Sequence, residues 1–159
     1  MTINNWSEKV SFIWSVKEIL RDHHKRHQYG AIILPLCVVR RLDCVLEPSK
    51  AKAVERAKKI KGDVDAHFDL LCSIAGQQFY NTSPFSFETL LDDTDNIAAN
   101  FIAYLNGFSP NVRDVIAKFD LLPQVDRLES AEILGPVLAR FKMIDLHPDA
   151  VSNIEMGYF

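Results

Sequence analysis

Residues 96–114 read NIAANFIAYLNGFSPNVRD, and the spacing within them decides the fold class. Ile97, Phe101, Tyr104, Leu105 and Phe108 recur at steps of three and four, which places them on one apolar face of a helix. Thr94 or Asp95 stands where a side chain caps the first free amides, and Gly107 stands where a left-handed residue ends the helix. Ser109-Pro110 starts a second helix, with a capping hydroxyl and a proline at the first position, where its missing N–H costs nothing. Val112, Val115, Ile116 and Phe119 give that helix its own apolar face. The block predicts two helices and a corner, and it assembles no nucleophile, base or metal cluster.

The same pattern extends in both directions. A first helix carries Trp6, Val10, Ile13, Trp14 and Leu20 on one side, with Phe12, Val16 and Ile19 widening the stripe and Asn4 or Asn5 as its cap. The polar run 21–28 reads as a turn. A second helix over about 29–46 is apolar on most sides and contains Pro35, which should kink it. Pro48-Ser49 opens a third helix that Gly62 ends, and 64–75 gives a fourth. Residues 76–86 read as an ordered loop leading into a short helix. A helical pair over 122–128 and 133–144 follows, the second interrupted by Gly135-Pro136. Ser152 and Glu155 have the spacing of a capping box, a helix start followed by only four residues. Nothing reads as a strand, so residues 1–159 are expected to form one all-α, multi-helix bundle domain.

Composition narrows the setting. A hydrophobic share of 48% and a charged share of 25% are ordinary for a globular protein. The longest apolar run, 31–39, is about half a membrane span and holds a proline. Cys37, Cys44 and Cys72 form no CxxC and fit buried thiols in a reducing, cytoplasmic compartment. The net charge of −3 conceals an asymmetry: residues 1–62 hold 13 Lys/Arg against 6 Asp/Glu, and residues 63–159 hold 5 against 15. A basic half beside an acidic half suggests different partners for different surfaces, one of them a polyanion.

The block 96–114, the upstream Gly76-Gln77-Gln78-Phe79-Tyr80-Asn81-Thr82-Ser83 and the downstream Ile144-Asp145-Leu146-His147-Pro148 together resemble one family. It is the N-terminal helical domain of the modification (M) subunit of type I restriction–modification enzymes. The resemblance runs from about Trp6 to Phe159 and is strongest from Gly76 to Phe119. It implies a prokaryotic parent enzyme that transfers a methyl group from S-adenosylmethionine to the N6 of adenine in DNA. It also implies duplex DNA, a specificity (S) subunit, a second M subunit and a restriction (R) subunit as partners. In such enzymes a longer helix follows a Met-Gly pair like Met156-Gly157 and leads into the methyltransferase domain.

Candidate sites divide into three. His23 and His27 are four apart beside His24, but no carboxylate or cysteine with metal-site spacing accompanies them, and a solvated helix end is the favoured reading. Lys52, Arg56 and Lys59 share a helix face at steps of four and three and could follow a phosphate backbone, or simply be solvated. Arg40 and Arg41 either join that patch or pair with Asp43 or the acidic half. The aromatic residues fall mostly at core positions, apart from the polar–aromatic loop of Gln77, Gln78, Phe79, Tyr80 and Asn81, a candidate subunit contact. The chain has no Asn-Pro pair, no P-loop, and six glycines that never fall two apart. It is therefore expected to bind no cofactor and to hold no catalytic residue. Two functions remain: a DNA-gripping and assembly module, or a pure protein–protein scaffold. A free-standing helical regulator is the third and least favoured.

Overall fold

The computed structural model describes residues 3–147. Nine α-helices occur among them: α1 (Ile3–Leu20), α2 (Gly30–Leu46), α3 (Lys50–Lys59), α4 (Phe68–Ala75), α5 (Phe87–Leu90), α6 (Ile97–Asn106), α7 (Pro110–Lys118), α8 (Leu121–Ser130) and α9 (Leu134–Lys142). The β structure among the described residues is an isolated antiparallel bridge between Asn81 and Phe108. The architecture is an all-α bundle. The Ser152/Glu155 spacing lies outside the described residues.

Two helices organise the core. α2 buries Ile32, Ile33, Leu36, Cys37, Val39 and Leu46 against α8 and α9. α9 meets α1, α5, α6 and α8 as well, through Leu134, Val137, Leu138 and Phe141. Phe141 takes the edge of Phe12 at a centroid distance of 4.9 Å, the arrangement in which the ring quadrupoles attract. A second aromatic group, Phe87, Phe101, Tyr104 and Phe108, joins α5 to α6, with neighbouring centroids 5.2–6.1 Å apart.

Several local expectations change. α1 turns Phe12, Val16 and Leu20 inward, while Val10 and Trp14 are 39% and 57% exposed. Its apolar residues surround the axis, so periodicity did not single out the face that α9 covers. Asn4 and Asn5 lie within the helix, which already runs from Ile3. Pro35 lies within α2 and is buried, so the proline does not end the helix. The carbonyl that loses its partner belongs to Ala31, an exposed residue near the helix start, so the missing bond leaves no buried residue's acceptor unmet. Gly135 and Pro136 do not interrupt α9. They sit in its first turn, where the proline's missing N–H is one of the free amides anyway.

Gly107 is the most informative correction. It ends α6 at φ −77° and ψ −13°, a right-handed conformation. A Cβ there would lie 2.6 Å from Ser83 Cβ, 2.8 Å from Ser83 N and 2.9 Å from Asn81 Oδ1. The position needs glycine because another segment presses on it, whereas Gly76, at φ +70°, is the left-handed cap of α4. The expected Thr94 or Asp95 cap is replaced by a 3-10 turn over Thr94–Asn96 that feeds directly into α6.

Candidate functional site

α3 reads KAKAVERAKK, rich in helix formers, and places Arg56, Lys58 and Lys59 in its last turn, where they complement the helix dipole. Ala53 is its buried contact, and α4 is its main neighbour. Ser49 Oγ donates to Ala75 O at 2.9 Å, tying the start of α3 to the end of α4. Lys52, Arg56 and Lys59 are all exposed on the outer flank, and none has an ion-pair partner among the described residues. The structure thus assembles these three as one ridge of positive charge.

Arg40 and Arg41 do not join that ridge. Arg40 Nε donates to Ile144 O at 3.0 Å, Nη2 to Lys142 O at 3.0 Å and Nη1 to Asp43 Oδ2 at 2.9 Å. Its guanidinium also lies 5.4 Å from the Phe87 ring centroid. Arg41 Nη1 donates to Leu146 O at 3.0 Å. Both arginines satisfy carbonyls at and beyond the end of α9, where cations are favoured. Of the readings open to Arg40, pairing with Asp43 is the one observed.

The loop 77–83 is divided in the same way. Gln77 and Gln78 are exposed and Phe79 is half-buried, whereas Tyr80 and Asn81 are each 1% exposed. Tyr80 and Asn81 hold the loop onto the α6–α7 corner. Ser109 N donates to Tyr80 O at 2.9 Å, Tyr80 N to Ser109 Oγ at 3.3 Å, and Thr82 N to Gly107 O at 2.9 Å. Asn81 Nδ2 donates to Tyr104 O at 2.9 Å, and Asn111 Nδ2 to Gln78 O at 3.0 Å. Ser109 spends its hydroxyl on Asn111 and on this loop, so it does not cap α7 with its side chain. On the loop's far side Tyr80 donates its hydroxyl to Asp65 at 2.8 Å, and Arg113 pairs with the same carboxylate.

Lys50 joins the loop to α3. Its ammonium donates to Asn81 Oδ1 at 3.0 Å and Phe85 O at 2.8 Å, and lies 5.1 Å from the Tyr104 ring centroid. Burial pushes its pKa down to about 8, with Asp43 acting in the opposite direction. Asp43 is itself buried and accepts from Tyr104 Oη at 2.8 Å. Burial first, and then Asp43, raise the Tyr104 phenol well above its usual range. Asp43 and Tyr104 are 61 residues apart, and no sequence signal linked them. Burial also holds the Cys37 thiol up at about 12, which keeps it protonated and inert.

The histidines lie apart from this network. The structure puts His23 and His24 in the turn after α1 and His27 in a separate 3-10 turn. No group of three or more His, Cys, Asp or Glu among the described residues is placed to hold a metal ion. No helix among them is long and apolar enough to cross a membrane.

The two sequence segments that stood out, 76–83 and 96–114, are therefore one structural unit, with the basic helix fastened to it by Lys50. Comparison with curated proteins and with solved structures gives no match. The family model described as the HsdM N-terminal domain matches residues 9–141, which contain both segments, α3 and nearly all of α9. The chain belongs to that family and is part of the modification subunit of a type I restriction–modification system.

Proposed function

We propose that this chain is the DNA-gripping and subunit-assembly module of a site-specific adenine-N6 DNA methyltransferase working in the prokaryotic cytoplasm. S-adenosylmethionine binding and methyl transfer belong to the rest of the parent enzyme, which flips the target adenine out of the duplex to reach it. The specificity subunit, a second modification subunit and the restriction subunit are its protein partners. The observation that carries the DNA part is the ridge of Lys52, Arg56 and Lys59, exposed and without ion-pair partners among the described residues. Such a ridge tracks phosphates without reading sequence, which suits an enzyme whose target is chosen by another subunit.

Titration of the 159-residue chain with duplex DNA of unrelated sequences tests this. Three phosphate contacts give a slope of log K against log salt of about −2.7, equal for all sequences. Replacing Lys52, Arg56 and Lys59 by glutamate should remove both the affinity and the slope. Absence of binding at low salt would sink the DNA part. The scaffold reading then stands on its own, supported by the exposed Gln77, Gln78 and the outer edge of Phe79, and its readout is complex assembly.

A further inference from the structure

The acidic half of the chain carries a surface opposite in sign to the ridge of α3. A groove of about 540 Å³ opens between the end of α8, the start of α9 and the link from α5 to α6. Buried Ile97 and Leu134 form its floor, with Leu91, Pro136 and Ala139 at its sides. A Cβ built on Gly135 would meet Ile97 Cδ1 at an ordinary 3.8 Å, so the glycine leaves the floor open. Glu129 and Glu132 line the groove, and no lysine or arginine does. Asp126 stands one turn before Glu129, and Asp92, Asp93 and Asp95 flank Leu91 and Thr94 on the opposite side. All of these carboxylates are exposed, and none has an ion-pair partner among the described residues. The cations nearby in sequence turn elsewhere. Arg127 is about 200° round α8 from Glu129 and lies near His24, whose pKa is lowered by burial and then by Arg127. Lys142, one turn beyond Ala139, is drawn to Glu88 at 4.0 Å. The first turn of α9 offers little compensation, because Pro136 has no N–H and Val137 N donates to Ile133 O at 3.0 Å.

An apolar floor inside an acidic rim repels a polyanion and suits side chains that are apolar along the stem and cationic at the tip. The chain itself displays such a row, exposed and without ion-pair partners among the described residues: Lys52, Arg56 and Lys59. The two rows also match in pitch. Arg56 and Lys59 are separated by about 4.5 Å of rise along α3, and Asp126 and Glu129 by the same along α8, which leaves Glu132 for Lys52. We infer that the groove receives the Lys52–Arg56–Lys59 ridge of a second copy of this chain. The stems lie on Leu91, Pro136 and Ala139, and the charges meet Asp126, Glu129 and Glu132. Because ridge and groove are different patches, two copies pair reciprocally or link into chains, and either raises the mass in solution. The inference rests on the second-modification-subunit part of the proposed function and gives that partner a surface. Phosphates and the acidic groove then compete for the same three cations.

Sedimentation velocity of the 159-residue chain without DNA tests this. At about 10 mM salt, where charges act over about 30 Å, the mean mass should rise with protein concentration. At about 1 M, where they act over about 3 Å, it should return to that of the monomer. A groove variant combines Asp126→Lys, Glu129→Lys and Glu132→Lys; a ridge variant combines Lys52→Glu, Arg56→Glu and Lys59→Glu. Each should weaken self-association by about tenfold or more, with parental circular dichroism and melting temperature, because every changed residue is exposed. Mixed one to one, the two variants should associate again, since each supplies the sign that the other lacks. Glu8→Lys with Asp69→Lys and Asp114→Lys has the net charge of the groove variant and should self-associate as the parent does. Parental association of the groove variant, a mixture that stays monomeric, or loss of association in the net-charge control overturns the inference while leaving the second subunit as a partner. A parent that stays monomeric at low salt refutes both. Failure of the DNA titration leaves these results untouched.

Discussion

Gly107→Ala sets two effects of opposite sign against each other. Gly107 lies at φ −77° and ψ −13°, which alanine adopts freely, so reduced freedom of the unfolded chain would by itself stabilise the domain by about 0.4–1 kcal/mol. The added methyl group would, however, stand 2.6 Å from Ser83 Cβ, 2.8 Å from Ser83 N and 2.9 Å from Asn81 Oδ1. Ser83 N and Cβ cannot swing aside as a flexible side-chain end would. Ser83 N donates to Asn81 Oδ1 at 2.8 Å, and Asn81 is held in turn by Tyr104 O and Lys50. Relief therefore requires the whole 81–83 segment to move, stretching the 2.9 Å bond from Thr82 N to Gly107 O. Overpacking of this kind costs about 1–3 kcal/mol, and a weakened hydrogen bond between these half-buried residues adds about 0.5–1.5 kcal/mol. The net expectation is a loss of about 2 kcal/mol, seen in urea titration as a lower midpoint with an unchanged m-value. Ser83→Gly in the Gly107→Ala background should recover part of it, because the Cβ–Cβ contact disappears while the contact to the amide nitrogen remains. A Gly107→Ala protein as stable as the parent, or more so, would refute the close-approach argument.

Lys50→Met should change the pH dependence of stability more than stability itself. Burial holds the ammonium at about 8 in the folded chain against the ordinary lysine value of 10.5, so between those values the folded state binds fewer protons than the unfolded one. The parent therefore gains stability as pH rises from 8 to 10.5, by up to about 3 kcal/mol, and the methionine variant lacks that gain. Subtracting the two curves, obtained by urea titration across this range, cancels the losses that Cys37 and Tyr104 impose as pH rises, and a flat difference would contradict the buried-ammonium account. Arg40→Met removes the cation from buried Asp43 and from the carbonyls of Lys142 and Ile144. A loss of about 3–5 kcal/mol follows, read by thermal denaturation, with Asp43→Asn in the same chain recovering part of it.

The helical class and most element positions were legible in the sequence because apolar residues at steps of three and four leave few other ways to form a single buried face. Legibility ends where that step pattern is ambiguous or where the deciding contact is remote. In α1, apolar residues occur all round, and packing, chiefly against α9, selects Phe12, Val16 and Leu20 over Val10 and Trp14. Gly107 has the sequence context of a helix-ending glycine, yet its need for a missing side chain comes from Ser83 and Asn81, far back along the chain. Tyr80 and Asn81 stood among polar neighbours that suggested an outward-facing loop. Their burial follows from the bonds to Asp65, Tyr104 and Ser109, which composition does not reveal.

The basic residues make the same point about function. Arg40, Arg41, Lys50, Lys52, Arg56 and Lys59 fall close together in the sequence, and charge alone gives them one role. Their surroundings separate them. A cation drawn out of water must find acceptors, and Arg40, Arg41 and Lys50 find carbonyl or amide oxygens at the end of α9 and in the 81–85 segment. Lys52, Arg56 and Lys59 remain in water, where their charge is available to a partner. The inward group orients the outward one: Lys50 and Ser49 fasten the first turn of α3 to the loop and to α4, and the loop is fastened to the α6–α7 corner. The segments 76–83 and 96–114 thus act on α3 through packing and hydrogen bonds. They fix the angle at which α3 presents its basic ridge.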